Sequence, residues 1–338
     1  MTAQTWSDAM GAALYGPGGF YRHHAPDAHF RTSVSASPLL AESLVRLVVA
    51  VDEALGSSDR LAVVDVGAGD GSLLVALMQV LPDGLAGRVD ALAVDIRPRP
   101  TPLPASVEWT EVIPRGVDGL VIAHEYLDNV PCDVAQVGDD GSLRQVTVDV
   151  SSGEESLGPP LSDEQQAWVE RWWPPGEPGD RAEIGTERDH AWRQVLEVLD
   201  RGVAVAVDYG HTQGERVSGA YSAGTLTAYR DGHQVVPVPD GSCDITAHVT
   251  IDACLAAGRE AGAENSALLR QADLLGALGL HARRPPLDLA TSEPRRYIEG
   301  LLRASHAAEL LDPVSLGSFW WLLQAKGCQP VVDGIDWL

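Results

Sequence analysis

Lysine is nearly missing from this sequence: Lys326 is the only one among 24 basic residues. Against those 24 stand 48 Asp and Glu, a formal net charge of -24. A field of that sign repels phosphate backbones and anionic lipid and attracts cations. Nucleic acid and membrane surfaces are therefore not expected partners; an acidic surface also serves plain solubility. Cysteine is scarce as well. Cys132, Cys243, Cys254 and Cys328 are widely spaced and form no CxxC pair. That spacing excludes a zinc ribbon or a thioredoxin-type centre, and no metal is expected. Four such side chains suit burial in a reducing compartment. No apolar run approaches the roughly 20 residues of a membrane span. The opening MTAQTWSDAM has neither the basic-plus-apolar layout of a secretory signal nor the Arg-rich character of a transit peptide. A cytoplasmic location is the expectation.

What is present is ample for a core. The chain has 338 residues, 45% of them hydrophobic and 21% charged, enough for a full domain with appended elements. Residues 1–36 cluster glycine and aromatic residues in an irregular stretch. Ser37-Pro38 then opens a helix in which Leu40, Leu44, Leu47, Val48, Val51 and Leu55 recur at helical spacing, with Gly56 past its end. LAVVDV is a buried strand running into a glycine turn, followed by the helix SLLVALMQVL. DALAVDI makes a second strand ending at Asp95, residues 106–111 a third, and GLVIAH a fourth. Between 133 and 182 the texture turns Gly- and Ser-rich around DEQQAWVERWW, which reads as a hairpin and a helical insertion with the makings of a lid. AWRQVLEVLDRG reads as a helix stopped by glycine and VAVAVDYG as a fifth strand. Residues 213–248 are loop-rich, 251–261 and 266–278 read as helices, and SFWWLLQAKG as a last strand. Continuous apolar strands alternating with helices indicate a parallel sheet covered on both faces.

Gly67, Gly69 and Gly71 sit between a strand and a helix, the context that gives a glycine motif meaning. A dinucleotide fingerprint would have its third glycine where Ser72 stands, so pyrophosphate is the weaker fit. Asp65 and Asp70 beside Ala68 instead suit a nucleoside whose other end is cationic, since carboxylates attract an ammonium or a sulfonium. Asp95, closing the second strand, can accept both hydroxyls of a ribose. An ordinary strand–helix turn is the plainer alternative. Glycines and Asp95 together point to S-adenosylmethionine. Trp109 and Glu111, after the third strand, are candidates for contacting adenine, although a Trp is more often core.

His124, Glu125, Tyr126, Leu127, Asp128 and Asn129 follow the fourth strand, at the rim where open α/β sheets bind ligands. A zinc reading of HExxH fails because position 128 is Asp. If a helical turn starts here, Glu125 and Asp128 share a face and form a double-carboxylate receptor for a guanidinium or an amine. The alternative has Glu125 capping a helix and Asp128 solvated. Asp208, Tyr209, Gly210 and His211 end the fifth strand on the same rim. Arg230 and His233 could hold the substrate or pair with the acids around them, and for an isolated Arg or His in an acidic protein the satisfied ion pair is the expectation.

In order along the chain stand LYGPGGFY, HFRTSVSASPLLAESL, VVDVGAGDGSLL, VIAHEYLDNVP, VAVDYGH, GTLTAYRDGH and DITAHV. This series resembles the MidA family of S-adenosylmethionine-dependent methyltransferases, whose mitochondrial members assist assembly of respiratory complex I and are described as protein arginine methyltransferases. The family's GDF is here Ala28-His29-Phe30, and its usual Glu at the second strand end is Asp95. The resemblance implies a class I, Rossmann-like α/β fold with a doubly wound, mostly parallel seven-stranded sheet. Residues 1–58 would form an N-terminal helical segment covering the cofactor. Residues 59–338 would form the methyltransferase domain, with an insertion at about 133–182 and substrate-side loops at about 211–250. It implies that Thr32 and Ser33 cap the methionine carboxylate of the cofactor, and that His124, Glu125, Asp128 and Asp208 serve catalysis. The expected reaction is methylation of an arginine in a protein. Rival expectations are a small-molecule methyltransferase, a non-catalytic cofactor-binding assembly factor and, on the weakest grounds, a nicotinamide dehydrogenase. The acceptor is expected to be cationic, protein or small molecule; the oligomeric state stays open.

Overall fold

LAVVDV, six residues rich in β-branched side chains, forms strand β1 (Leu61–Val66) of a seven-stranded sheet in the computed structural model, which describes residues 3–23, 38–174, 176–332 and 334–337. The other strands are β2 (Val89–Val94), β3 (Val107–Thr110), β4 (Val117–His124), β5 (Leu199–Asp208), β6 (Asn265–Arg270) and β7 (Trp320–Lys326). Their order across the sheet is β6-β7-β5-β4-β1-β2-β3. Neighbours from β5 to β3 pair in parallel, whereas β6 and β7 pair antiparallel, so the sheet is mixed. Leu120 to Ala123 in β4 are wholly buried, as a strand covered on both faces requires. Helix α1 (Pro38–Ala54) lays Leu40, Leu44, Leu47, Val48 and Val51 into this core, and α2 (Ser72–Val80) adds Leu73, Leu74 and Leu77.

Cross-strand glycines hold the centre of the sheet together. Gly119 of β4 and Gly202 of β5 lie in register at φ +151° and +135°. A Cβ on Gly202 would fall inside the carbonyl of Gly119, and one on Gly119 inside that of Ala62. Gly202→Ala should therefore cost about 3 kcal/mol or more, since the clash is with backbone and cannot relax by a rotamer change. A thermal unfolding midpoint equal to wild type would contradict this.

The chain divides into two compact units. The sheet belongs to the one formed by Arg31–His124, Val198–Val207 and Ala263–Leu338; the other comprises Met1–Phe30, Glu125–Glu197 and Asp208–Gly262. The ranges 133–182 and 211–250, expected as an insertion and as substrate-side loops, both fall in the latter unit. Its sheet runs Ala3–Thr5, Leu143–Asp149, Asp133–Val137, Arg181–Ile184, with Glu155–Pro160 on Leu143–Asp149. One core gathers Trp6, Met10, Leu14, Phe20 and Ile245, another Trp168, Trp173 and Ile184. The helix Asp163–Trp172 starts at a capping box of Ser162 and Gln165.

Some expected elements fold differently. The stretch 266–278 is not one helix: β6 ends at Arg270 and only Gln271–Ala277 is helical. Six residues of β6 find an antiparallel partner in β7, and that tertiary pairing overrides local preference. The helix before β5, Thr186–Val198, stops four residues short of Gly202, which lies inside the strand. Residues 213–248 contain the strands Thr227–Arg230, His233–Val235 and Asp244–Thr246 as well as the short helix Gln213–Val217. Arg230 donates to the carbonyl and the hydroxyl of Ser242, beside a tight turn at Asp231 and Gly232 whose φ values, +51° and +76°, suit a two-residue hairpin. No helix among the described residues is long and apolar enough to cross a membrane.

Candidate functional site

The glycine turn grows directly out of β1. Gly67 and Ala68 donate to the carbonyl of Val94, at 2.9 and 3.1 Å, so the turn is fastened to the end of β2. Gly67, Gly69 and Gly71 have φ values of +73°, +64° and +79°, where only glycine is unstrained. A Cβ on Gly71 would also lie 2.7 Å from Leu103 Cδ1, and one on Gly69 3.4 Å from Arg97 Nη2. The positive φ values, and at Gly71 the Leu103 side chain as well, keep side chains off this turn. Asp70 Oδ1 accepts the Ser72 N–H at 2.9 Å, an Asx-type turn just before α2, whose N-cap position is Gly71.

Asp95 faces this turn. Its carboxylate accepts from Gly69 N at 2.9 Å, Arg97 N at 2.9 Å and the Arg97 guanidinium at 3.1 and 3.3 Å. The Trp109 indole N–H is used by the Arg97 carbonyl at 2.9 Å, and its ring lies 3.7 Å from where a Gly71 Cβ would be. Trp109 thus braces the turn and the Asp95 segment, while Glu111 is exposed. The donor set fits an adenosyl group: bare backbone for the nucleoside and an acidic acceptor for the diol. Thr32 and Ser33 lie outside the described residues.

Asp65 is 2% exposed, and burial, with the charges of Asp95 and Asp70, pushes its carboxyl up to about 8. Asp244 is likewise raised to about 7, by burial and by the charge of Asp128, against the pull of its Tyr21 hydrogen bond. The folded chain holds these protons where an unfolded chain, titrating near about 4, has released them. Stability from these groups is complete below the unfolded pKa and is lost as pH rises from about 4 to about 8. The thermal midpoint should drop between pH 6 and pH 8, and Asp65→Asn should flatten that drop. Equal slopes in the two proteins would rule Asp65 out as a source.

Asp128 and Asp208, of the second group of candidates, lie in one hydrogen-bonded network in the other unit, whereas His124 belongs to the unit of the sheet. His124 ends β4 and Glu125 follows; Val207 is followed by Asp208. No helical turn starts at Glu125. It is a half-buried residue at φ +50°, after which the chain bends through 127–130. A non-glycine residue with positive φ costs about 1–3 kcal/mol and such outliers gather at functional sites. Asp208, fully buried, anchors the bend: its Oδ2 accepts Leu127 N at 3.0 Å and Asp128 N at 3.2 Å. Asp128, 3% exposed, accepts on its own Oδ2 from the Tyr209 hydroxyl and from Thr246 Oγ1, the latter at 2.7 Å. Asn129 Nδ2 and the Tyr21 hydroxyl both donate to Asp244 Oδ1, at 3.3 and 2.7 Å.

Two buried carboxylate oxygens have no hydrogen-bond partner among the described residues: Asp128 Oδ1 and Asp208 Oδ1. Burial raises both carboxyls; the charges of Asp128 and Glu125 raise Asp208 further, and hydrogen bonds and Arg188 pull back on each. His124 is 7% exposed, and burial lowers it to about 4, so its imidazole is neutral at pH 7. His211 is wholly buried, and its Nδ1 accepts from Arg216 Nη1 at 2.9 Å; its proton therefore sits on Nε2, another atom without a partner among the described residues. Its ring packs against Trp173 and Tyr221, each 4.5 Å away between centroids.

Motif reading singled out Glu125, Asp128, Asp208 and Asp95. It missed Arg97, Arg188, Thr246 and Asp244 as individual residues. Thr246 and Asp244 lie in DITAHV, so that motif carried a signal; nothing around Arg188 in TERDHAW did. Among the described residues no cluster of His, Cys, Asp and Glu is arranged to hold a metal ion.

Among proteins of curated function, none matches this sequence. Two crystal structures from Burkholderia thailandensis do match. One is of a COG1565 superfamily member bound to S-adenosyl-homocysteine and the other of a COG1565 superfamily protein in native form. Each is 25% identical with a TM-score of 0.82 and covers 98% of this chain and 90% of its own. The family described as "Putative S-adenosyl-L-methionine-dependent methyltransferase" matches residues 85–268, more than half the chain, and this protein belongs to that family of S-adenosylmethionine-dependent methyltransferases.

Proposed function

We propose that this chain methylates a cationic nitrogen, the guanidinium of an arginine in a protein substrate. The observation that carries the reading is the pair of unpartnered oxygens on Asp128 and Asp208, in side chains no more than 3% exposed. A buried carboxylate oxygen without a donor costs about 1–3 kcal/mol or more. A guanidinium, planar and charged at every ordinary pH, offers the donors that offset this cost.

On the cofactor side, Asp95 receives the ribose, in place of its own Arg97, and Gly67, Ala68, Gly69 and Gly71 let the nucleoside lie against the backbone. Asp65 sits beneath that turn with a proton affinity raised by burial. The cofactor, when bound, supplies an electrophilic methyl group on a sulfonium.

On the acceptor side, Asp128 binds one edge of the guanidinium and draws its charge toward that edge, while Asp208 receives an N–H of the nitrogen that acts as nucleophile. As that nitrogen gains carbon it must give up a proton, and the carbon–sulfur bond breaks to leave a neutral thioether. Asp208, whose proton affinity burial and its acidic neighbours raise, takes that proton. Glu125, held at φ +50° at the start of the bend, contributes a further carboxylate to the acceptor.

The test offers isotope-labelled S-adenosylmethionine with a peptide pool and a metabolite pool separately. Label in the peptides is expected. Label confined to metabolites overturns the protein substrate, and no S-adenosylhomocysteine from either pool overturns turnover itself.

A further inference from the structure

The buried Arg188 is not part of any motif and hydrogen-bonds to no carboxylate among the described residues, yet each of its three guanidinium nitrogens donates to a backbone carbonyl. It lies in the helix Thr186–Val198 and is 2% exposed. Nη2 donates to the carbonyl of Asp128 at 2.8 Å, Nε to that of Val130 at 3.1 Å, and Nη1 to that of His248 at 2.8 Å. Two loops far apart in sequence, 128–130 and 246–248, are thereby drawn to one fork. The same two loops meet again where Thr246 Oγ1 donates to Asp128 Oδ2 and Ala247 N to Asp128 O, at 2.7 and 3.3 Å.

Resting on the reading of Asp128 and Asp208 as the receiver of a cationic acceptor, we propose that Arg188 is the positioning residue of that pair: it ties the Asp128 loop to the loop that carries Thr246 and His248 by their carbonyls and places a buried positive charge beside the two carboxyls. Its bonds go to neutral carbonyls, so its charge is left to act on the acids around it. Those facing it are Asp128 from the bend, Cys132 just after it, Glu183 from the strand Arg181–Ile184 and Asp208 from β5, together with the imidazoles of His211 and His248. Glu183 is already occupied by Thr225 and Leu226. Glu125, Tyr209 and Asp244 face the pair itself and add negative or neutral groups only. Arg188 is the cation whose field lowers both members. Lysine cannot replace it in geometry, because one ammonium does not reproduce a planar fork to three carbonyls.

The experiment compares wild type with full-length Arg188→Gln and Arg188→Lys. The infrared C=O stretch of protonated buried carboxyls is followed against pH and assigned by its loss in Asp208→Asn. In Arg188→Gln the band should persist about one pH unit or more higher than in wild type. An unchanged titration overturns the proposal whether or not arginine is the substrate, since this readout needs no acceptor. Arg188→Lys keeps the charge, so its titration should stay near wild type while S-adenosylhomocysteine formation with the peptide pool falls about a hundredfold. Wild-type turnover in Arg188→Lys likewise overturns the proposal, and this second variant decides the matter if Arg188→Gln does not fold. A peptide pool inert with wild type condemns the substrate reading alone and leaves the infrared result to judge Arg188.

Discussion

Asp208→Asn should leave the protein folded and reduce turnover about a thousandfold or more. The Asn carbonyl can still accept from Leu127 N and Asp128 N, so the bend keeps its anchor. What disappears is the negative charge and the proton acceptor, which between them account for roughly 10²–10⁴ in rate at sites of this kind. Asp208→Ala behaves differently. It leaves two buried N–H groups without partners at about 1–3 kcal/mol each, so a loss of about 2–5 kcal/mol in stability is expected. S-adenosylhomocysteine formation and thermal unfolding separate the two variants. Full activity in Asp208→Asn would remove Asp208 from the chemistry, and wild-type stability in Asp208→Ala would contradict its role as an anchor.

The second large effect is on the cofactor. Asp95→Ala removes the acceptor expected to hold the ribose diol and also strips Gly69 N of its partner. Hydrogen bonds to a charged acceptor are worth about 1.5–3 kcal/mol each, so affinity for S-adenosylhomocysteine should fall about a hundredfold or more by calorimetry. Asp95→Glu restores the family's usual residue and should bind within about tenfold of wild type, since it keeps the charge and adds one methylene. A loss in Asp95→Glu as large as in Asp95→Ala would show that the turn, rather than the carboxylate, dominates. Gly71→Val should fail for a steric reason instead, with its Cβ driven into Leu103 and its φ held at +79°.

How far these sites can be read from sequence depends on how local their causes are. The glycine turn and Asp95 are legible because strand, turn and helix follow one another within a short stretch and each glycine has a local steric reason. The parallel strands are legible because burial on both faces writes itself as an unbroken apolar run. The stretch 266–278 is not: an apolar segment without β-branched residues suits helix and strand equally, and the pairing of Leu268 with Leu322 decides it. The expected helical turn at Glu125 fails for a similar reason. The bend is set by Asp208, some 80 positions away, which takes the N–H groups a helix would have used. Arg188 is invisible in sequence because all its partners are backbone carbonyls, and a carbonyl carries no residue identity. The motifs read separately as GFY, HEYLDNVP, DYGH and DITAHV prove to be pieces of one hydrogen-bonded cluster through Tyr21, Asp128, Asp208, Asp244 and Thr246.

Residue-level product analysis tests the central claim most directly. The labelled peptide pool is hydrolysed and its amino acids are resolved by mass spectrometry after reaction with wild type and with Asp208→Asn. The account requires the labelled methyl on a guanidinium nitrogen of arginine with wild type and its near absence with the variant. Label on lysine, histidine or carboxylate side chains, or arginine labelling that the variant leaves intact, would contradict it.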